Sequence, residues 1–199
     1  MSIGVLAIQG DFEAHLRTLG RIGAAGVEVR SVETLASVDG LILPGGESTT
    51  MLKFIEDESL AGSIIAFARQ RKPIFGTCAG AILLAREVYN PAQASLGLID
   101  LAVERNGYGR QVDSFVAEAE AVIDGGPLEC VFIRAPRIKR IGKNIEVLAR
   151  LADEPVLVRE GNILAATFHP ELTYDNRVHK LFIEMVRQTR EAPVKQPVC

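Results

Sequence analysis

Residues 73–85 read PIFGTCAGAILLA, a very short apolar strand that runs directly into a helix-forming segment. Small residues flank Cys78 on both sides, in the pattern Gly-x-Cys-x-Gly. A nucleophile on a tight strand-to-helix turn needs such neighbours, because the backbone is strained there and passes close to other segments. The pattern predicts that Cys78 lies at the carboxyl end of a β-strand, where open α/β sheets bind their ligands.

Short apolar runs alternate with helix-forming segments through the first half of the chain. Strands are predicted at residues 3–8, 27–29, 39–43 and 73–76. Asp11 is placed to cap a helix after the first strand, and Ser48 or Thr49 to cap one after the third. This alternation is typical of an α/β fold with a mostly parallel sheet.

The second half of the chain has a different pattern. Between residues 98 and 168, β-favouring runs follow one another with short turns, which predicts antiparallel strands that extend the sheet or pack against it. A helix over residues 175–190 closes the domain. We therefore expect one α/β domain over residues 1–190, a three-layer sandwich whose central sheet is mostly parallel, with antiparallel strands in its second half. Residues 191–199, with two prolines, are expected to form a flexible tail.

The composition limits the class of protein. Of 199 residues, 48% are hydrophobic and 24% charged, which excludes disorder, and a net charge of −3 offers no basic surface for nucleic acid or an anionic membrane. The longest uncharged stretch has 13 residues, too few to cross a bilayer. The three cysteines are far apart, which argues for a reducing compartment. We expect a cytoplasmic protein, with Cys130 in its core and Cys199 in the tail.

A cysteine nucleophile needs a base, and the chain has three histidines. His15 and His179 fall within helical patterns and are interpreted as solvated helix positions. His169 ends an apolar run and precedes a proline, which favours an extended conformation, so that Glu171 faces the same side. Cys78, His169 and Glu171 are thus a candidate nucleophile, base and orienter. The alternative for the last two residues is a surface loop where they meet by chance.

The segment Pro44–Ser48, PGGES, lies between a predicted strand and a predicted helix at the same edge of the sheet. Adjacent glycines allow backbone N–H groups to point at a developing oxyanion. The segment matches neither a Walker loop nor a dinucleotide fingerprint. A plain tight turn is one interpretation. Beside a cysteine turn, the segment predicts half of an oxyanion hole, whose donors are the N–H groups of Gly46 and of Ala79.

Together these motifs resemble a known family. PGGES, GTCAG and the late His-Pro-Glu are the marks of class I (triad) glutamine amidotransferase domains, which have a flavodoxin-like fold. Residues 105–115 (RNGYGRQVDSF), 132–136 (FIRAP) and 168–173 (FHPELT) are similar to the glutaminase subunit of pyridoxal 5′-phosphate synthase, the PdxT/SNO family. The resemblance extends over about residues 3–187.

The resemblance implies an enzyme that hydrolyses L-glutamine to L-glutamate and ammonia through a cysteine thioester, with no cofactor and no metal. Ammonia would pass through a channel to a (β/α)₈ synthase subunit. That subunit would combine it with ribose 5-phosphate and glyceraldehyde 3-phosphate to make pyridoxal 5′-phosphate. The implied complex contains twelve copies of each subunit, and the glutaminase would be nearly silent until the synthase binds.

The resemblance also implies roles for single residues. Cys78 would be the nucleophile, His169 the base and then the acid, and Glu171 the orienter. The residues that would bind L-glutamine are Gly46, Glu47, Ser48, Arg105, Ile133 and Arg134. An arginine suits the α-carboxylate of glutamine, because a guanidinium binds carboxylates in a fork. Without the resemblance, each arginine would be interpreted as an ordinary surface charge.

Three other functions stay open at this point. The first is an amidotransferase subunit that serves another pathway, such as histidine or purine synthesis. The second is a cysteine hydrolase or peptidase of the flavodoxin-like type, which would act without a synthase. The third is a non-catalytic module that binds a partner and keeps the cysteine turn only for packing.

Overall fold

The computed structural model describes residues 1–108 and 114–191. Strands and helices alternate in the first half, in the order β1 (Ser2–Leu6), α1 (Phe12–Arg21), β2 (Ala25–Val29), α2 (Val32–Ser37), β3 (Gly40–Leu43), α3 (Ser48–Asp57), α4 (Leu60–Arg69), β4 (Ile74–Thr77) and α5 (Ala79–Leu84). The second half contains mainly strands, which are β5 (Ala85–Tyr89), β6 (Ile99–Glu104), β7 (Ser114–Ala121), β8 (Leu128–Ile133), β9 (Arg137–Ile141), β10 (Glu146–Leu151), β11 (Glu154–Glu160) and β12 (Ile163–Ala166). A 3-10 turn (Pro170–Leu172) and helix α6 (Arg177–Glu191) follow.

Within the described residues, the main sheet has nine strands in the order β2-β1-β3-β4-β12-β11-β10-β7-β8. The first five are mutually parallel, and the other four continue the sheet antiparallel. The predicted fold, with a mostly parallel sheet that is extended by antiparallel strands, is therefore confirmed. A second, three-stranded sheet in the order β5-β6-β9 was not predicted.

The central strands carry apolar side chains on both faces, because helices cover both. Leu43 of β3 and Ile74 of β4 belong to the core beneath α2, α3, α4 and α5. Their neighbours Ile42 and Phe75 belong to the opposite core, beneath α1 and α6. Continuous hydrophobic runs without alternation are what a sheet buried on both faces requires. The molecule is thus a three-layer sandwich, as expected.

The helix after Cys78 is shorter than its sequence indicates. Helix formers continue to about residue 88, yet α5 ends at Leu84 and the chain enters β5. The carbonyl groups of Leu83 and Leu84 accept hydrogen bonds from the amides of Leu96 and Leu98. Those partners come from a distant segment, so the local propensity for helix is overridden by tertiary contacts.

Two predicted caps are also corrected. Asp11 occupies the cap position of α1, but its side chain makes no capping hydrogen bond. Helix α3 is capped by Glu47, whose carboxylate accepts hydrogen bonds from the amides of Thr49 and Thr50. Ser48 is the first residue of α3 and its hydroxyl donates to Gln93 Oε1 instead.

Cys130 is buried in β8, as predicted. The tail residues 192–199, which include Cys199, lie outside the described residues, as do residues 109–113 of the segment that resembles the family. Among the described helices, none combines the length and the hydropathy that crossing a membrane would require.

Candidate active site

Cys78 lies on the tight turn that joins β4 to α5. Its φ of +46° and ψ of −101° are unusual for a residue with a side chain, so the turn stores backbone strain. A Cβ on Gly80 would overlap the carbonyl oxygen of Leu43 in the neighbouring strand, which explains the small residue there. The thiol is nearly buried and its Sγ lies 3.8 Å from the carbonyl oxygen of Ile133. The tight strand-to-helix turn predicted from the pattern Gly-x-Cys-x-Gly is thus present, with Cys78 on it.

His169 follows β12, the strand that pairs with β4. Its amide donates a hydrogen bond to the carbonyl of Val131, and its ring is 4% exposed. The ring Nδ1 lies 2.8 Å from Oε1 of Glu171. The predicted contact between His169 and Glu171 therefore forms, although the backbone that joins them differs from the expectation. Residues 170–172 form a 3-10 turn rather than an extended chain, and the turn brings the carboxylate back beneath the ring.

The charges around His169 favour its imidazolium form. Burial of the ring lowers its pKa, but hydrogen bonds to Asp11, Cys78 and Glu171 outweigh burial and raise the pKa of His169 to about 12. Burial raises the pKa of the Glu171 carboxyl group, and the hydrogen bond to His169 opposes that rise. The arrangement favours an imidazolium form of His169, held between Cys78 and the carboxylates of Asp11 and Glu171.

Asp11 is a site residue that the sequence analysis missed. Its Oδ2 lies 3.3 Å from Nδ1 of His169, so two carboxylates approach the same ring nitrogen. The hydrogen bond to His169 lowers the pKa of Asp11. Its position directly after the first parallel strand, at the edge where α/β sheets bind ligands, is the signal that could have identified it.

The PGGES segment follows β3 and lies against the ring of His169. A Cβ on Gly45 would overlap the ring of His169, so this close approach requires glycine. The carbonyl oxygen of Gly45 accepts a hydrogen bond from the amide of Asp11 at 3.3 Å. Gly46 is a lining residue of the pocket, whereas Ala79 is buried directly behind the thiol as the first residue of α5.

A pocket of about 300 Å³ opens above Cys78 and His169. Its walls contain every residue expected to bind glutamine, together with three residues that were not expected. The expected residues are Gly46, Glu47, Ser48, Arg105, Ile133 and Arg134, and the others are Asp11, Ile82 and Asn106. Glu171 does not line the pocket, because it is buried beneath the histidine.

The walls of the pocket carry both signs of charge. Arg105 Nη2 lies 3.2 Å from Oε1 of Glu47. Burial raises the pKa of Glu47, but hydrogen bonds from Thr49 and Thr50 prevail and lower it to about 2, so the carboxylate is ionised at neutral pH. A second arginine, Arg134, lines the same pocket. Paired charges of this kind complement a zwitterionic amino acid.

Asp11, His169 and Glu171 each offer a ligand atom within 4.8 Å of the others, a spacing that a metal ion could use. A metal ligand must be a neutral imidazole with a free lone pair. The raised pKa of His169 works against that form, so the cluster is better suited to holding a proton than a metal.

The family to which the chain belongs is shown by comparison with known proteins. The model of the SNO glutamine amidotransferase family matches residues 5–188. The chain belongs to that family. The resemblance stated from the sequence motifs is thus confirmed.

Relatives with high coverage are named as subunits of one enzyme. The chain is 54% identical over 187 residues to the pyridoxal 5′-phosphate synthase subunit PdxT of Koribacter versatilis, and the match covers 94% of this chain and 96% of the relative. It is 50% identical over 188 residues to the subunit of the same name from Thermotoga maritima, with 94% and 100% covered.

Solved structures show the same fold. A crystal structure described as a glutamine amidotransferase superposes with a TM-score of 0.88 at 47% identity, over 93% of this chain and 98% of that chain. The structure of PurLQS from Thermotoga maritima has a TM-score of 0.66 at 17% identity, over 94% of this chain and 96% of that chain, and shows the fold alone.

Proposed function

We propose that this member of the family is the glutaminase subunit of a pyridoxal 5′-phosphate synthase. It hydrolyses L-glutamine to L-glutamate and ammonia and delivers the ammonia to a synthase subunit. The observation that carries this proposal is the meeting of Cys78 and His169 at the floor of one charged pocket, with Glu171 beneath the histidine ring, in a chain that is about half identical to named PdxT subunits over nearly its full length.

Cys78 begins the reaction. Its thiolate attacks the side-chain amide carbon of glutamine, and an S–C bond forms while the carbonyl oxygen becomes an oxyanion. The backbone N–H groups of Gly46 and Ala79 stabilise that charge. As the tetrahedral intermediate collapses, the C–N bond breaks and the His169 imidazolium gives its proton to the departing nitrogen, which leaves as ammonia.

His169 then changes from acid to base. A water molecule attacks the thioester carbon and the neutral imidazole accepts its proton. The S–C bond breaks, which releases glutamate and restores the thiolate beside the imidazolium. Glu171, 2.8 Å from Nδ1, holds the ring in the orientation that both steps need.

The pocket walls select the free amino acid. Arg105 and Arg134 are available for the α-carboxylate, and the ionised Glu47 for the α-ammonium group. Gly46, Ser48 and Ile133 contribute the remaining walls. This assignment distinguishes the site from a peptidase pocket, which must accept a continuous chain rather than two terminal charges.

The partner is a (β/α)₈ synthase subunit that consumes the ammonia together with ribose 5-phosphate and glyceraldehyde 3-phosphate, in a complex of twelve plus twelve subunits. Residues 1–190 act as one glutaminase domain. A reactive thiolate is best preserved in a reducing compartment, so we assign the enzyme to the cytoplasm.

The test is glutamate release from L-glutamine, with and without the purified synthase subunit, for the wild-type chain and for Cys78→Ala. We expect strong release only with the synthase and none from the variant. Cys130→Ala is the matched control, because that thiol is buried in β8 and burial raises its pKa to about 12. Residual activity of Cys78→Ala within tenfold of wild type would overturn the assignment.

A further inference from the structure

All three histidines of the chain belong to one buried cluster, although the mechanism uses only His169. His15 of α1 and His179 of α6 were interpreted from the sequence as solvated positions, yet both are fully buried. That interpretation is therefore wrong. The two helices cover the same face of the sheet, directly beneath the catalytic turn. Burial of two further polar rings behind a catalytic carboxylate calls for a physical reason.

The rings form a chain of contacts that ends on the catalytic carboxylate. The Nε2 atom of His15 lies 3.4 Å from Oε2 of Glu171 and 3.2 Å from the hydroxyl of Thr77. On its other side, Nδ1 of His15 lies 2.9 Å from Nε2 of His179. Glu171 Oε2 is buried and makes no hydrogen bond among the described residues, so the approach of His15 at 3.4 Å is a polar contact rather than a hydrogen bond. The two oxygens of Glu171 thus face different rings. Oε1 contacts His169, and Oε2 faces His15.

The protons of this chain of contacts can be assigned. The Nδ1 atom of His179 is buried and has no hydrogen-bond partner among the described residues. If that atom carried the proton, a buried donor would be left unsatisfied, which costs more than an unused acceptor. The proton of His179 therefore sits on Nε2 and is donated to Nδ1 of His15. His15 must then carry its own proton on Nε2, where it donates a hydrogen bond to Thr77 Oγ1 and lies 3.4 Å from Oε2 of Glu171.

A second argument gives the same assignment. With the opposite tautomer, His15 would present a bare lone pair to the carboxylate of Glu171, and the two would repel each other. Both rings are neutral at ordinary pH, because burial lowers the pKa of His15 well below 6.5 and that of His179 to about 3. The charged groups that influence them are Glu171, His169 and Arg21.

We propose that His15 is a positioning residue for the glutaminase reaction: the N–H dipole at its Nε2, 3.4 Å from the second oxygen of Glu171, stabilises the charge on that buried oxygen, and His179 fixes the tautomer in which it does so. This charge–dipole contact favours the orientation of the carboxylate in which its first oxygen meets Nδ1 of His169. This inference rests on the proposed function, since it concerns how the orienter is itself oriented. Neither His15 nor His179 lines the pocket, so neither touches the substrate.

The first test is on the wild-type chain and needs no activity. Long-range ¹H–¹⁵N NMR correlations distinguish the two neutral tautomers from the imidazolium, and only three histidine rings contribute signals. At pH 7 we expect His15 and His179 to be neutral with the proton on Nε2, and His169 to be doubly protonated. A proton on Nδ1 of His15, or a charged His15, would overturn the proposal even if no variant folded.

The second test compares two substitutions at His15 in the complex with the synthase subunit. His15→Leu removes the donor, and we expect kcat for glutamine hydrolysis to fall roughly tenfold to hundredfold with KM unchanged, because only the geometry of the triad is disturbed. His15→Gln places an amide N–H near the position of Nε2, and we expect it to restore kcat to within about threefold of wild type.

Leu19→Ala is the matched packing control, because Leu19 is buried on the same helix and carries no polar group. We expect it to lower the melting temperature and to leave kcat unchanged. A wild-type kcat for His15→Leu, or equal losses for the Leu and Gln variants at equal melting temperatures, would overturn the proposal. Failure of the proposed function itself would look different, since the wild-type complex would then release no glutamate.

Discussion

The Oδ2 atom of Asp11 lies 3.3 Å from Nδ1 of His169, the nitrogen that Glu171 also contacts. Asp11 occupies the cap position of α1 but makes no capping bond, so its carboxylate serves the catalytic ring instead. Two anions on one side of an imidazolium hold its proton more firmly than one. The relationship implies that Asp11 helps to raise the pKa of His169.

Asp11→Asn should therefore lower the pKa of His169 from its value of about 12. The amide retains the shape of the carboxylate but loses its charge. We expect the ring to begin to deprotonate at a lower pH than in wild type, and the alkaline limb of kcat/KM to move the same way. Ring ¹⁵N shifts recorded from about pH 7 to 12 follow the onset of deprotonation in both proteins, and the same onset in the variant as in wild type would contradict the prediction.

Glu171→Ala should impair turnover less than Cys78→Ala does. An orienter assists the reaction without forming a bond to substrate, so the expected loss in kcat is roughly a hundredfold to ten-thousandfold. Asp11 still contacts the same nitrogen in this variant. The double variant Asp11→Asn, Glu171→Ala should consequently lose more than the product of the two single effects. Strict additivity of the two losses, on a logarithmic scale, would show that Asp11 does not share the task.

Gly45→Ala should disable the site without unfolding the chain. The added methyl group would overlap the ring of His169, and displacing that ring by about 1 Å is expected to cost on the order of a hundredfold in kcat. Gly62→Ala is the control, because that glycine is exposed within α4 and nothing lies near its would-be Cβ. The control should stabilise the protein by about 0.5–1 kcal/mol and keep full activity. Thermal melts and steady-state kinetics on both variants decide the matter.

Arg105→Lys should weaken glutamine binding more than it slows the chemistry. Lysine keeps the charge but loses the fork that matches a carboxylate. We expect KM for glutamine to rise roughly tenfold while kcat stays within about threefold. Arg17→Lys is a suitable control, since Arg17 is 70% exposed and pairs only with Glu13 among the described residues. A kcat effect without a KM effect would remove Arg105 from the binding site.

The buried His179 should make the fold sensitive to acid. Burial lowers the pKa of His179 to about 3 in the folded protein, whereas its pKa in the unfolded chain is near 6.5. Below pH 6.5 the side chain is therefore protonated in the unfolded state but stays neutral in the folded state. Between pH 7 and 5 this difference removes about 2 kcal/mol from the free energy of unfolding.

His179→Leu abolishes that proton uptake, and we expect urea unfolding at the two pH values to show a correspondingly smaller loss. Leu19→Ala, which loses packing but no titratable group, should retain the wild-type pH dependence. If the wild-type chain and His179→Leu lost the same stability on acidification, His179 would have to be charged or solvated in the folded protein.

The parts of the candidate site that the structure brings together as the sequence predicted are close to one another along the chain. The backbone at Cys78 is determined by neighbours within two residues, so the pattern Gly-x-Cys-x-Gly is sufficient to indicate the nucleophile turn. His169 and Glu171 are likewise two residues apart, and a 3-10 turn brings them into contact as well as a strand would. The order of apolar strands and helices predicted the sandwich, because the period of hydrophobic residues reports burial directly.

Only the tertiary structure decided what lies around these motifs. His15 and His179 are separated by 164 residues in the chain, and their rings meet because α1 and α6 pack on the same face of the sheet. From periodicity alone, a polar residue within a helical pattern is predicted to be exposed, because only apolar residues are assigned to the core. Periodicity therefore does not identify a pair of polar side chains that are buried and hydrogen-bonded to each other. The sequence by itself therefore determined the candidate triad of Cys78, His169 and Glu171, while the packing of two distant helices decided which buried side chains lie behind it.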